Sequence, residues 1–231
     1  MSSIAAGTSA GTALVSTGDT SGALQLQVNG TTPSVTLAAN GSIGVGSTPA
    51  YGTSGQVLTS AGSAAAPTWS TVSAGFTLGT PVASTSGTSI DFTGIPAGVK
   101  QIIVSFNGVS TSGTSIKSIR IGDSGGIETT GYDSSGASMT ASAQDVNVST
   151  AGFIVHSEQA NHVLVGSATL TLENSSLNSW ALTGNFSDSG TGRVFASSGA
   201  KSLSAVLDRI RITTNNGTDT FDAGEINIAY I

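Results

Sequence analysis

The sequence predicts an all-β protein, on three observations. Ser, Thr, Gly and Ala supply 127 of its 231 residues, and all but Ala are mediocre to poor in helix interiors. Apolar residues recur at period two in short runs, with no helical spacing of useful length. Asn-Gly and similar turn residues separate those runs.

Composition also excludes several classes. Only 20 residues are charged, seven basic and thirteen acidic, for a net charge of −6. With 38% apolar residues, disorder driven by charge is not expected. Seven scattered basic side chains make no footprint for a phosphate backbone, so nucleic acid is not an expected partner. Cysteine is absent, which removes disulfides and thiolate metal sites. No apolar run is long enough to span a bilayer. The opening MSSIAAGTSAGTALVS lacks a basic n-region and an apolar h-region, so no secretory leader is expected.

The elements, in order, divide near residue 75. Residues 1–75 carry one charged side chain, Asp19. Leu24, Leu26 and Val28 alternate with Gln25 and Gln27. Val35 and Leu37 follow the turn at Asn29-Gly30, and Ile43 and Val45 follow Asn40-Gly41. Strands this short cannot bury a core alone, so the segment is either disordered or folded against copies of itself. Its regular alternation favours several chains wound together as a β-rich shaft (21–75).

Residues 76–231 read as one domain of ordinary size. Ile102, Val104 and Phe106 share a strand face. Ile119 and Ile121, Phe153 and Val155, Val163 and Val165, and Leu170 and Leu172 follow. Trp180, Leu182 and Phe186 continue the series. Val206, Ile210 and Ile212 precede the turn Asn215-Asn216-Gly217, and Ile226, Ile228 and Tyr230 come last. Eight or nine such strands predict a β-sandwich or jelly roll.

The stretch GTSGQVLTSAGSAAAPTW (52–69) resembles a segment common in bacteriophage tail-fibre proteins, G-x-x-G-Q-V-L-x-S-x-G followed by a small-residue spacer and P-x-W. SGALQLQVNGTTPSVTLAANGSIGVGSTP (21–49) looks like fibre shaft segments. LGTPVASTSGTSIDFTGIPAGVKQIIVSFNGVS (78–110) and LDRIRITTNNGTDTFDAGEINIAYI (207–231) resemble the opening and closing strands of a C-terminal fibre domain. These four blocks cover about half the chain. The resemblance implies an interwoven trimeric shaft followed by a C-terminal jelly-roll-like β-sandwich, in a homotrimeric virion protein assembled in a bacterial cytoplasm. It implies no enzyme, cofactor or membrane insertion. Residues 1–20 would attach to other virion proteins, and the distal domain would bind a host surface glycan or protein. A capsid head fibre or decoration protein without an obligatory receptor is the alternative.

Chemical motifs mostly dissolve. GDSGG (122–126) matches a serine-protease signature, and 7–11 matches G-x-S-x-G. Both histidines, His156 and His162, follow Ser124, whereas that protease order places histidine first, and composition alone produces such matches. His156, Glu158 and His162 could form a metal site, and Asp219, Asp222 and Glu225 could ligate calcium. Hairpin and turn roles explain both sets as well, and no metal is expected. Six N-x-[ST] sequons begin at Asn29, Asn40, Asn147, Asn174, Asn185 and Asn216, the yield of a Ser/Thr-rich chain. Trp69 is expected at the shaft-to-domain junction and Trp180 in the core. A hydrolase would need a carboxylate pair in a cleft, which no spacing here proposes.

Between Ile121 and Val146 no convincing strand is legible. Long loops in compact domains are commonly functional, so Glu128, Tyr132, Asp133 and Met139 are the candidate receptor-binding residues, exposed near the distal tip. Aromatic and carboxylate groups on Ser/Gly-rich loops suit polar ligands such as glycans.

Overall fold

The computed structural model describes residues 22–28, 32–72, 75–155, 159–160 and 162–231. Every regular element in it is a strand. The chain separates into two compact units, Met1–Ala74 and Gly75–Ile231.

In the first unit, β1 (Leu24–Val28), β2 (Thr32–Leu37) and β3 (Ile43–Val45) form an antiparallel meander. Its register puts Leu24 opposite Leu37 and Leu37 opposite Ile43, with Leu26, Val35 and Val45 aligned beside them. The turn between β2 and β3 uses Asn40-Gly41 as its sequence suggests. The Asn40 side-chain oxygen accepts from the Ser42 amide at 3.1 Å, and Gly41 takes φ +81°, which a side chain would resist. The other expected turn, at Asn29-Gly30, lies outside the described residues. β4 (Gln56–Thr59) and β5 (Thr68–Thr71) make a separate hairpin. Trp69 on β5 donates its indole N–H to the Ala50 carbonyl at 2.8 Å and lies against Gly52, where a Cβ would sit 2.7 Å from the ring. These contacts of Trp69 are within its own unit.

The second unit carries β6 (Thr77–Leu78), β7 (Val82–Ala83), β8 (Ser89–Thr93), β9 (Gln101–Thr111), β10 (Lys117–Asp123), β11 (Gly126–Ile127) and β12 (Asp133–Met139). After them come β13 (Gln144–Ser149), β14 (Phe153–Val155), β15 (Leu164–Asn174), β16 (Ser179–Asp188), β17 (Val194–Ser202), β18 (Arg209–Thr214) and β19 (Phe221–Tyr230). The larger antiparallel sheet runs β13-β12-β17-β16-β15-β9-β19-β6, with β7 also on β19. The smaller runs β11-β10-β18-β8, with β14 also on β10. Alternate residues of both sheets build one core: Ile102, Val104, Phe106, Leu170, Leu182 and Phe186 from the larger, Ile90, Ile119, Ile121, Ile210 and Ile212 from the smaller. Phe106 and Phe186 meet edge to face at 5.3 Å, an arrangement that adds to simple burial.

Most of the apolar alternation identified in the sequence lies on strands, with two differences. The pairs 163/165 and 170/172 lead into a single strand, β15, whose register against β9 shifts between Leu164 and Val165. Leu164, not Val163 or Val165, is therefore in step with Ala168 and Leu170 and faces fully inward, while the extra residue of the shift is Gly108 on β9, beyond which Val109 takes the inward position. Val206 lies outside any strand and is 53% exposed.

The two edges of the larger sheet differ. At one end the edge is made of the two-residue strands β6 and β7. At the other stands the six-residue β13, with Val146 and Val148 exposed.

Candidate functional site

The segment 122–145 is not a loop. It contains a β10–β11 hairpin, the whole of β12 and the start of β13. GDSGG is the hairpin turn: Asp123 accepts from the Gly125 amide at 2.8 Å, and Gly126 takes φ +127°. The Asp123 carboxylate also accepts from the Ser204 hydroxyl at 2.7 Å and the Ala205 amide at 2.8 Å. Those bonds, Ser204 first, hold it below the usual carboxylate range. This acid ties two connections together, and Ser124 is an exposed turn residue beside it.

β12 escapes a hydrophobic-pattern reading because its inward residues are Ser134, Gly136 and Ser138, all buried. Large side chains from other elements fill the space above them. Phe153 would lie 2.9 Å from a Cβ at Gly199 on the neighbouring β17, so only small residues fit there. The Ser134 hydroxyl accepts from the Ile154 amide at 2.9 Å, satisfying a buried donor.

The four candidate residues therefore have different fates. Tyr132 is a core residue, 2% exposed, and not a surface group. Along one side of β10, β14 pairs as far as Ile119 and β11 begins at Gly122, leaving Ile121 between them. The Tyr132 hydroxyl bridges that gap. It accepts from the Ile121 amide at 2.8 Å and lies 3.0 Å from the Glu128 carbonyl, to which it can donate. Its ring stacks edge to face on Phe153 at 5.0 Å. Burial pushes its pKa up to about 12. Glu128 is half-buried, 3.6 Å from the Lys201 ammonium, which itself sits 5.4 Å above the Tyr132 ring. Asp133 and Met139 are exposed, but they occupy opposite ends of β12, roughly 20 Å apart at strand rise. The four do not converge on one site.

A different patch occupies this region. On the outer face of β12, β13 and β17, Val148, Ser135 and Ser198 lie in one cross-strand row and Val146, Ala137 and Ala196 in the next. Ser135, Ala137, Val146, Ala196 and Ser198 line a shallow uncharged depression. Val146 and Val148 are 64% and 78% exposed. The sequence signal for these was the alternation Asp145-Val146-Asn147-Val148-Ser149, in which the valines face outward.

Of the two candidate metal sets, Asp219, Asp222 and Glu225 are described in full and do not converge. His156 and Glu158 lie outside the described residues. His162 is buried with Nε2 3.7 Å from Asp188. Burial alone would raise the Asp188 pKa, but hydrogen bonds from Thr191, Gly190 and Val163 outweigh it and hold the carboxyl low. Asp219 accepts from the Ser115 amide and the Asn216 side chain, Asp222 from Ser110, and Glu225 from Asn107, so each carboxylate has a separate partner. Among the described residues no group of three or more His, Asp or Glu is placed to hold a metal. Trp180 is 3% exposed and packs in the core.

Comparison with known proteins gives no match: no family model, no curated protein and no solved structure is found to be similar to this chain.

Proposed function

We propose that the chain is a homotrimeric structural protein of a bacteriophage virion, a short tail fibre. Its first unit contributes to a shared shaft, and its second is a jelly-roll-like domain that binds the host cell surface. One observation carries the proposal. Leu24, Leu26, Leu37 and Ile43 share an aligned apolar face, yet each remains 43–54% exposed, and Val45 is the unit's one fully buried apolar side chain among the described residues. A three-stranded sheet in that condition has too little core to stand alone. Copies packing face to face supply what one chain lacks.

The fibre resemblance of residues 52–69 and 207–231 supports the virion assignment. Light scattering tests the assembly: three times 22.6 kDa is expected, and a well-folded monomer sinks it. A density map of the intact virion tests the placement. The dispersal of Glu128, Tyr132, Asp133 and Met139 favours a second reading, a capsid head fibre or decoration protein without an obligatory receptor. Location on the capsid shell in that map would select it.

A further inference from the structure

Of nine large apolar side chains exposed among the described residues of the second unit, four are neighbours: Met139, Val146, Val148 and Val194. The register sets them together. Gln144, Met139 and Val194 form the cross-strand row on one side of Val146, Ala137 and Ala196, and Val148, Ser135 and Ser198 form the row on the other. Alternation puts all nine residues on the outer side of β12, β13 and β17, away from the buried Ser134, Gly136 and Ser138. Met139 and Val194 are 43% and 48% exposed. The rows make one apolar strip, with a shallow depression over its small central side chains.

None of the nine residues is charged, nor is any in the connecting turn 140–143. Where the strip meets β16, its neighbours are Thr183, Asn185 and Ser187. Asp145, the charged residue of β13, alternates to the opposite side and accepts from the Asn147 amide at 3.3 Å. These properties choose between partners. Each chain carries a net charge of −6, so copies repel wherever their acidic surfaces meet. An uncharged apolar strip bordered by hydroxyl and amide groups lets identical chains touch without that repulsion, and it has the make-up of an interface core with its rim. Four exposed side chains fall well short of the roughly 800 Å² that each partner buries in a stable complex. The strip therefore needs copies already joined through the first unit, whose high effective concentration makes a weak contact sufficient. Its width, three strands or about 10 Å, matches the spacing of packed sheets, so three such strips can close around an axis with their side chains in contact.

We propose that the outer side of β12, β13 and β17 is the surface through which the second units of three copies meet, with Met139, Val146, Val148 and Val194 at the contact. The inference rests on the proposed trimer and adds a second contact to the shared shaft.

The chain has no cysteine, so Val146→Cys places a single thiol at the contact, and Thr93→Cys places one at an exposed position of β8. Light scattering gives the mass of each variant and near-UV dichroism checks its fold. A short bis-maleimide should join Val146→Cys chains covalently, seen on a denaturing gel with a yield unchanged by dilution, and should leave Thr93→Cys chains single. A monofunctional maleimide should label Val146→Cys about tenfold or more slowly in the trimer than after adding Leu26→Asp, because the thiol is reached only when the contact opens. Thr93→Cys should label alike in both. A trimer in which Val146→Cys labels quickly and does not cross-link overturns this contact and leaves the shaft standing. Slow labelling without cross-linking overturns it as well, since the chain's own residues then cover the strip. So does a cross-linking yield that falls on dilution, which places the contact between separate assemblies. A monomeric mass for both variants overturns the trimer itself, and this contact with it.

Discussion

Replacing Tyr132 with Phe removes one oxygen and leaves the ring on Phe153. The oxygen matters because the Ile121 amide that it accepts from is buried between the ends of two strands. Without it that N–H has no partner, and a buried unpaired donor costs about 1–3 kcal/mol. The same substitution has a signature in pH. Burial raises the Tyr132 pKa from 10.0 to about 12, so the folded chain keeps a proton that the unfolded chain loses. Stability from this group is whole below pH ~10 and drains away as pH rises toward about 12. At pH ~11 the wild type has lost about 1.4 kcal/mol through this residue, and the Phe variant has lost none. Urea melts at fixed protein concentration, read at pH ~8 and pH ~11, measure both effects. The variant should be less stable at the lower pH, with the gap narrowing by about 1.4 kcal/mol at the higher. A gap that stays constant, or a variant equal to wild type at pH ~8, refutes the bridge between Tyr132 and Ile121 as a stabilising element.

Lys117 should show the opposite slope. Burial lowers its pKa from 10.5 to about 8 against the pull of Asp222, Asp219 and Asp188. The wild type should therefore gain stability between these two values, where only the unfolded chain holds the proton, and Lys117→Met should flatten that rise in the same melts. Leu26→Asp should dissociate the proposed trimer without unfolding residues 75–231, read as a fall in mass by light scattering with near-UV dichroism retained. Gly199→Ala should cost on the order of 1–3 kcal/mol, because a Cβ there comes within 2.4 Å of the Asp133 carbonyl; calorimetry would show it. Arg211→Ala should cost less than about 1 kcal/mol, although the guanidinium pairs with both oxygens of Asp91, because both groups are well exposed. Deleting 129–140 should destroy the fold, since it removes β12 and Tyr132.

Strands whose inward residues are large were legible in the sequence. Ile102, Val104 and Phe106 alternate with polar neighbours because one face of β9 meets the core, and the same holds at Ile210 and Ile212. β12 and β17 were not legible for the complementary reason. Phe153 and Tyr132 project toward them, so β12 holds Ser134, Gly136 and Ser138 inward, and β17 holds Ser197 and Gly199 between Phe195 and Lys201. Alternation of small with small leaves no hydropathy signal, and the longest stretch of it read as a loop. The candidate residues failed from the same cause: Tyr132 lacks apolar neighbours in sequence but gains them from β10 and β14. The bulge at Gly108 of β9 could not be read either, because one extra residue exchanges the faces of the strand without changing its composition.

The unequal edges of the larger sheet restrict the symmetry of any assembly built on it. Pairing β13 with β13 of a second copy would be isologous, each edge satisfying the other about a two-fold axis, and such a contact closes at two chains. A ring of three requires a heterologous contact, in which unlike surfaces meet and the rotation returns on itself. The far edge offers only the two-residue strands β6 and β7, too short for a ladder with the six residues of β13. A three-fold assembly would then have to use surfaces other than the two edges of this sheet. In the proposed trimer, pairing through β13 would couple one set of three chains to another, yielding six.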